Sequence, residues 1–140
     1  MKCVLIIGGC CDIGIALGNY FLNKNYNVVV GYHNKFIKYN ENVEYIKCDV
    51  TNSNDIDNII NKTKNTYGNI DVIINLACLC MDNDFLDKTK EEFMKVLEVN
   101  LVGTFLCNQI YSKNIQQICT KIEEKYIQNV FIFLNECAIV

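Results

Sequence analysis

The 140 residues contain no arginine, no proline and no tryptophan, and their one histidine is His33. All 13 basic residues are therefore lysines, which excludes bidentate guanidinium clamps for phosphate or carboxylate. A net charge of −3 without a basic stripe excludes a nucleic-acid footprint. No apolar run approaches the roughly 18 residues of a spanning helix, so no membrane partner is expected. Met1-Lys2-Cys3-Val4 passes directly into an apolar run, which leaves no room for a signal peptide. No linker or low-complexity segment interrupts the chain. Residues 1–140 accordingly read as a single domain with one core.

What the sequence has in quantity is cysteine, at positions 3, 10, 11, 48, 78, 80, 107, 119 and 137. An odd count without a secretory signal implies reduced thiols and a cytoplasmic protein. Most of these cysteines read as small core or turn residues. Asn, Ile, Lys and Tyr are also plentiful, a bias that lowers the meaning of any single Lys or Asn. Hydrophobic residues at 51% and charged residues at 21% make an ordinary globular composition.

Apolar strands alternate with amphipathic stretches. Residues 2–7 read as a buried strand, followed by a helix whose apolar positions 13, 16, 17, 20 and 21 share one face. Asn25-Tyr26-Asn27 breaks that helix before a β-branched strand at 28–30, and 32–42 reads as a loop or weak helix. A third strand spans 43–48. The next helix opens near Asp55 and Asp57, turns Ile56, Ile59, Ile60 and Thr63 inward, and closes at Gly68. A continuous apolar strand at 71–77 suits a doubly covered parallel sheet. Thr89 and Glu92 form a capping box that opens a long helix. Its expected inner face is Phe93, Val96, Leu97, Leu101 and Phe105. A polar helical stretch runs to about 125, and 130–134 is a fifth strand. The pattern predicts an α/β fold, a Rossmann-like doubly wound parallel sheet of about five strands with right-handed crossovers.

In such a sheet ligands sit beyond the carboxyl ends of the strands. The first strand runs into Gly8-Gly9-Cys10-Cys11-Asp12-Ile13-Gly14 and then a helix. A glycine turn at a helix N-terminus presents backbone N–H groups to a dinucleotide pyrophosphate. Gly8 serves the turn and Gly14 the close approach of the helix, whereas Asp12 stands where a middle glycine is expected. Its carboxylate either caps the helix or repels the pyrophosphate. After the second strand, about 20 residues on, a ribose-binding acid would indicate NAD. Here stand His33, Asn34 and Lys35, which favour the 2′-phosphate of NADP or form a solvated loop. Cys10, Cys11, Cys78, Cys80 and Cys137 all follow strand ends, and with His33 they suggest a soft-metal or redox site. Their spacings match no standard zinc pattern, and the expectation is no metal.

Four segments together resemble the N-terminal part of a short-chain dehydrogenase/reductase, in the style of a 3-oxoacyl-(acyl-carrier-protein) reductase. Ile7-Gly8-(three residues)-Asp12-Ile13-Gly14 resembles the family's Thr-Gly-(three residues)-Gly-Ile-Gly turn. Cys48-Asp49-Val50-Thr51 resembles the Asp-Val pair at the adenine. Asn75-Leu76-Ala77-Cys78 resembles the Asn-Asn-Ala-Gly element. Glu98-Val99-Asn100-Leu101-Val102-Gly103-Thr104-Phe105 resembles the segment whose Asn belongs to the catalytic tetrad. The resemblance implies an NAD(P)-dependent oxidoreductase for carbonyl or hydroxyl hydride transfer. It assigns cofactor contacts to Gly8, Asp12, Ile13, Gly14, His33, Asn34, Lys35, Asp49, Val50, Asn75 and Ala77, and the tetrad position to Asn100. It also implies a homo- or hetero-oligomer packed through the helix at 90–111.

The sequence departs from the family at Ile7, Leu76 and Cys78. Asn135 or Glu136 occupies the place of the catalytic Ser. The place of the family's Tyr-(three residues)-Lys pair would lie beyond Val140. That Tyr relays a proton, the Lys lowers its pKa and the Ser holds the substrate oxygen. The expectation is therefore a family scaffold with no activity on its own. The alternatives are a non-catalytic dinucleotide-binding or assembly module, and an inactive gene fragment with an exposed sheet edge.

Overall fold

The computed structural model describes residues 1–82, 84–119 and 130–133. Five parallel strands form one sheet in the order β3-β2-β1-β4-β5. They are β1 (Cys3–Ile7), β2 (Asn27–Tyr32), β3 (Val43–Lys47), β4 (Val72–Asn75) and β5 (Val130–Phe133). The helices are α1 (Asp12–Asn23), α2 (Ser53–Tyr67), α3 (Lys90–Leu97) and α4 (Thr104–Cys119), with a π-helical segment, Glu98–Gly103, joining the last two. The expectations for Asn135, Glu136, Cys137 and the polar stretch beyond 119 concern residues outside those described.

Side chains alternate across the sheet, and both faces are covered. Cys3, Leu5, Ile7, Val29 and Ile73 pack with Ile56, Ile59 and Ile60 of α2 and Cys107, Ile110 and Tyr111 of α4. Val4, Ile6, Val28, Val30 and Ile74 pack on the opposite face with Leu17, Phe21 and Leu22 of α1. Every residue of β1 is at most 1% exposed, which accounts for the unbroken apolar run. α2 follows its sequence pattern. Thr63 is buried, and its hydroxyl donates to the Ile59 carbonyl at 2.7 Å.

Two expected helix faces are corrected. In α1 the buried positions are Gly14 and Gly18, with Leu17, Phe21 and Leu22 beside them, while Ile13 and Tyr20 are 45% and 55% exposed. A Cβ at Gly14 would overlap the Gly9 carbonyl, and one at Gly18 the Tyr39 hydroxyl. The helix touches its neighbours through this glycine stripe, which displaces the stripe of larger side chains. In the long helix Phe93, Leu101 and Phe105 point outward, at 40%, 64% and 57% exposure. The wider π turn breaks the α-helical phase, so Asn100, Gly103, Cys107 and Ile110 face inward instead.

The loop from 33 to 42 contains no helix. The Tyr45 hydroxyl organises it, accepting from the Tyr39 and Asn40 amides at 3.0 and 3.2 Å. β4 ends at Asn75, two residues before the expected boundary. The Asn75 Oδ1 there accepts from the Ala77 amide at 3.1 Å and bends the chain out of the sheet.

Candidate functional site

β1 has β2 on one side and β4 on the other, so chain direction across the sheet reverses beside β1. A cleft of about 590 Å³ opens at this switch point, beyond the strand carboxyl ends. Four strand ends line it. The β1–α1 turn supplies Gly8, Cys10, Cys11 and Ile13, and the β2 end supplies Tyr32, His33, Asn34 and Lys35. Asp49, Val50 and Thr51 follow β3, and Leu76, Ala77, Cys78 and Leu79 follow β4.

Gly8 adopts φ +74°, and a Cβ there would lie 2.5 Å from the Ala77 nitrogen and 2.7 Å from the Leu76 carbonyl carbon. The β1–α1 and β4 loops can meet only because this residue is glycine. The first turn of α1 faces the cleft with its amide groups and the positive end of the helix dipole. Its N-cap is Cys11, whose thiol accepts from the Gly14 amide at 3.4 Å. Asp12 is therefore not the cap. It is exposed in the first turn and lies outside the cleft wall.

Asp49 is the most connected side chain of the cleft. Its Oδ1 accepts from the Thr51 amide at 2.9 Å and the Thr51 hydroxyl at 2.8 Å. Its Oδ2 lies 3.4 Å from the His33 Nε2. Partial burial pushes the carboxyl pKa up, but the two Thr51 bonds and the neighbouring imidazole prevail and hold it below the ordinary carboxylate value. The Asp49 amide in turn donates to the Asp55 carboxylate at 3.0 Å, which fixes the loop to α2.

Asn75 and Asn100 do not line the cleft; they hold the chain that does. The Asn75 Nδ2 donates to the Thr104 hydroxyl at 3.2 Å, and that hydroxyl donates to the Asn100 carbonyl at 2.8 Å. The Asn100 amide group donates to the Leu79 carbonyl at 3.0 Å and accepts from the Leu79 amide at 2.8 Å. Thr104 belongs to the motif around Asn100, but the sequence assigned it no role; its spacing of four from Asn100 is the signal for this bond. Cys11 was also missed as a cap, because thiols are not among the preferred capping groups.

The cysteines at the strand ends are only partly brought together. Cys10, Cys11 and Cys78 line the cleft, but Cys80 is exposed and its thiol donates to Asp82 at 3.1 Å. Cys78 is disulfide-bonded, contrary to the expectation of thiols throughout. Among the described residues no group of three or more His, Cys, Asp or Glu side chains is placed to hold a metal ion. Among them, too, no helix is long and apolar enough to cross a membrane.

Residues 2–124 match the short chain dehydrogenase family. The chain belongs to that family. A 3-oxoacyl-(acyl-carrier-protein) reductase of Mycobacterium bovis is 28% identical over 116 residues, 83% of this chain and 46% of the relative. A short chain dehydrogenase from Leptospira borgpetersenii, solved with bound NAD+, is 33% identical with a TM-score of 0.74. The match covers 84% of this chain and 47% of that one. ElxO, solved with NADP bound, is 32% identical with a TM-score of 0.69, over 84% of this chain and 51% of its own. The chain thus spans about half the length of the curated relatives it matches.

The cleft offers features that suit a dinucleotide such as the NAD+ or NADP bound in those two structures. Gly8 and Gly14 keep side chains out of the turn, α1 offers its amides, and the remaining loops reach the same space. Leu76 and Cys78 line the β4 side.

Proposed function

We propose that these 140 residues form the cofactor-binding part of an NAD(P)-dependent oxidoreductase acting on carbonyl or hydroxyl groups. The observation that carries this reading is the convergence of four strand-end loops on one cleft beside a glycine turn. In it, Gly8, Ile13, Gly14 and the start of α1 receive the pyrophosphate, with Asp12 outside the wall. Asp49 and Val50 take the adenine. His33, Asn34 and Lys35 face the ribose 2′ position and favour NADP over NAD, because two of the three carry or can carry positive charge. Ala77 borders the remaining half, its backbone set by Asn75. Asn100 acts as a positioning residue through Leu79.

The cofactor supplies or accepts the hydride when bound. In this reading the residues that line the cleft bind and orient the cofactor, and the 140 residues are proposed to carry out no hydride transfer on their own. Six of the described cysteines are free thiols, which supports a cytoplasmic setting, with Cys78 the exception. Calorimetric titration of the folded chain tests the reading. Binding of NADP+ more tightly than NAD+ is expected, and absence of heat with either at millimolar concentration would overturn it. Turnover of an acetoacetyl thioester with NADPH by the same chain would overturn the inactivity.

A second reading, assembly through residues 90–111, is favoured by one observation. Phe93, Met94, Leu101 and Phe105 leave 40–64% of their surface exposed along the outer side of the long helix. A second copy or a longer relative is the proposed partner. Sedimentation of the wild type as a dimer or larger, and of Leu101→Glu as a monomer, is the expected result.

A further inference from the structure

His33 and Asp49 face each other in the cleft, from different strand ends. The contact between Nε2 and Oδ2 is 3.4 Å, and both side chains remain partly open to solvent, at 49% and 33%. We propose that this pair makes the choice between 2′-phosphorylated and unphosphorylated dinucleotide depend on pH, with protonated His33 selecting the phosphate. The proposal rests on the cofactor reading above and extends it from a static preference to a proton-dependent one.

The argument is one of local charge. Lys35, on the same loop, carries one positive charge, and Asp49 one negative charge. Asp55 stands behind Asp49, at the start of α2, and accepts from its amide. The Tyr32 hydroxyl and the Cys10, Cys11 and Cys48 thiols complete the titratable groups of the wall on this side. Asp49 stays ionised through the neutral range because the Thr51 bonds outweigh its partial burial. Histidine is the side chain that changes charge between about pH 5 and 8. With a neutral imidazole, Asp49 offsets part of the Lys35 charge, and the attraction on a phosphate is weaker. With an imidazolium, Asp49 is neutralised and Lys35 is left in excess.

A phosphate monoester carries about −1.5 to −2 charge near neutrality and responds strongly to that change. A ribose hydroxyl carries none and hardly responds. The Asp49 carboxylate also holds the imidazole in place, because Thr51 fixes it from the other side. The sequence noted His33 as a phosphate acceptor, but its coupling to Asp49 is visible only in the fold.

The test is the ratio of dissociation constants for NAD+ over NADP+, measured by calorimetric titration of the 140-residue chain between pH 8.0 and 6.0. The oxidised forms withstand this range. The ratio should rise about three- to tenfold as pH falls, and the rise should shrink with added salt. In His33→Gln the ratio should be flat or should fall, since the ligand phosphate itself takes up a proton near pH 6. Lys35→Gln should weaken NADP+ binding at every pH and retain the slope. NAD+ binding by each variant shows that it is folded. A ratio independent of pH in the wild type, or a slope that survives His33→Gln, would overturn the proposal while leaving the cofactor reading intact. Failure of both dinucleotides to bind would overturn both.

Discussion

Both backbone polar groups of Leu79 find their partner in one side chain, Asn100, 21 residues along the chain. Asn100 is 6% exposed and Leu79 partly buried, so removal of the side chain takes two hydrogen bonds from this loop. Asn100→Ala is therefore expected to cost about 2–3 kcal/mol, read as a shift of the urea midpoint. Gly8 carries a different constraint, since its φ of +74° and the 2.5 Å approach to the Ala77 nitrogen leave no space for a methyl group. Gly8→Ala should destabilise by about 2–4 kcal/mol and weaken dinucleotide binding in the same measurement series. The positions of both residues were legible in the sequence, Gly8 from the turn and Asn100 from its motif. The capping role of Cys11 was not, because a weak thiol acceptor leaves no compositional signal. Asp12 invited that role instead and proved to stand one position too late.

At the scale of elements, α2 was legible because its apolar residues recur at ordinary helical spacing over a long, regular stretch. The long helix was not. Its periodicity assumes 3.6 residues per turn throughout, and the segment Glu98–Gly103 departs from that value. The consequence is measurable, since the two possible phases assign opposite costs to the same substitutions. Leu101→Ala, in dilute monomer, should change stability by no more than about 0.5 kcal/mol. Ile110→Ala, at a position 6% exposed against Tyr111 and the sheet, should cost about 2–4 kcal/mol. Urea denaturation of the two variants, side by side, separates the phases. α1 teaches a related lesson, because small residues rather than large ones set its contact stripe.

For the whole molecule, a parallel sheet covered on both faces follows from alternation and apolar runs, and these survive small errors in element boundaries, whereas the strand order is visible only in the fold. The same burial has a consequence for alkaline stability. Burial pushes the Cys3, Cys48 and Cys107 thiols up from 9.0 to about 12, with Asp71 and Glu44 adding to the effect at Cys3. Burial likewise raises the Tyr111 hydroxyl from 10.0 to about 12. Each group is raised in the folded state, so its contribution is complete below the unfolded value and is lost as pH climbs toward the folded one. The urea midpoint should hold between pH 7 and 8 and fall steadily from about pH 9 to 11. A midpoint constant to pH 11 would show that these groups ionise as freely folded as unfolded.

The central claim is that four loops, distant in sequence, form one dinucleotide site. Amide hydrogen exchange of the folded chain, with and without saturating NADP+, tests it most directly. The account predicts new protection in residues 8–15, 32–35, 49–51 and 76–79 together, and none on the outer side of α3 and α4. No change at millimolar NADP+, or protection confined to a region away from these loops, would contradict it.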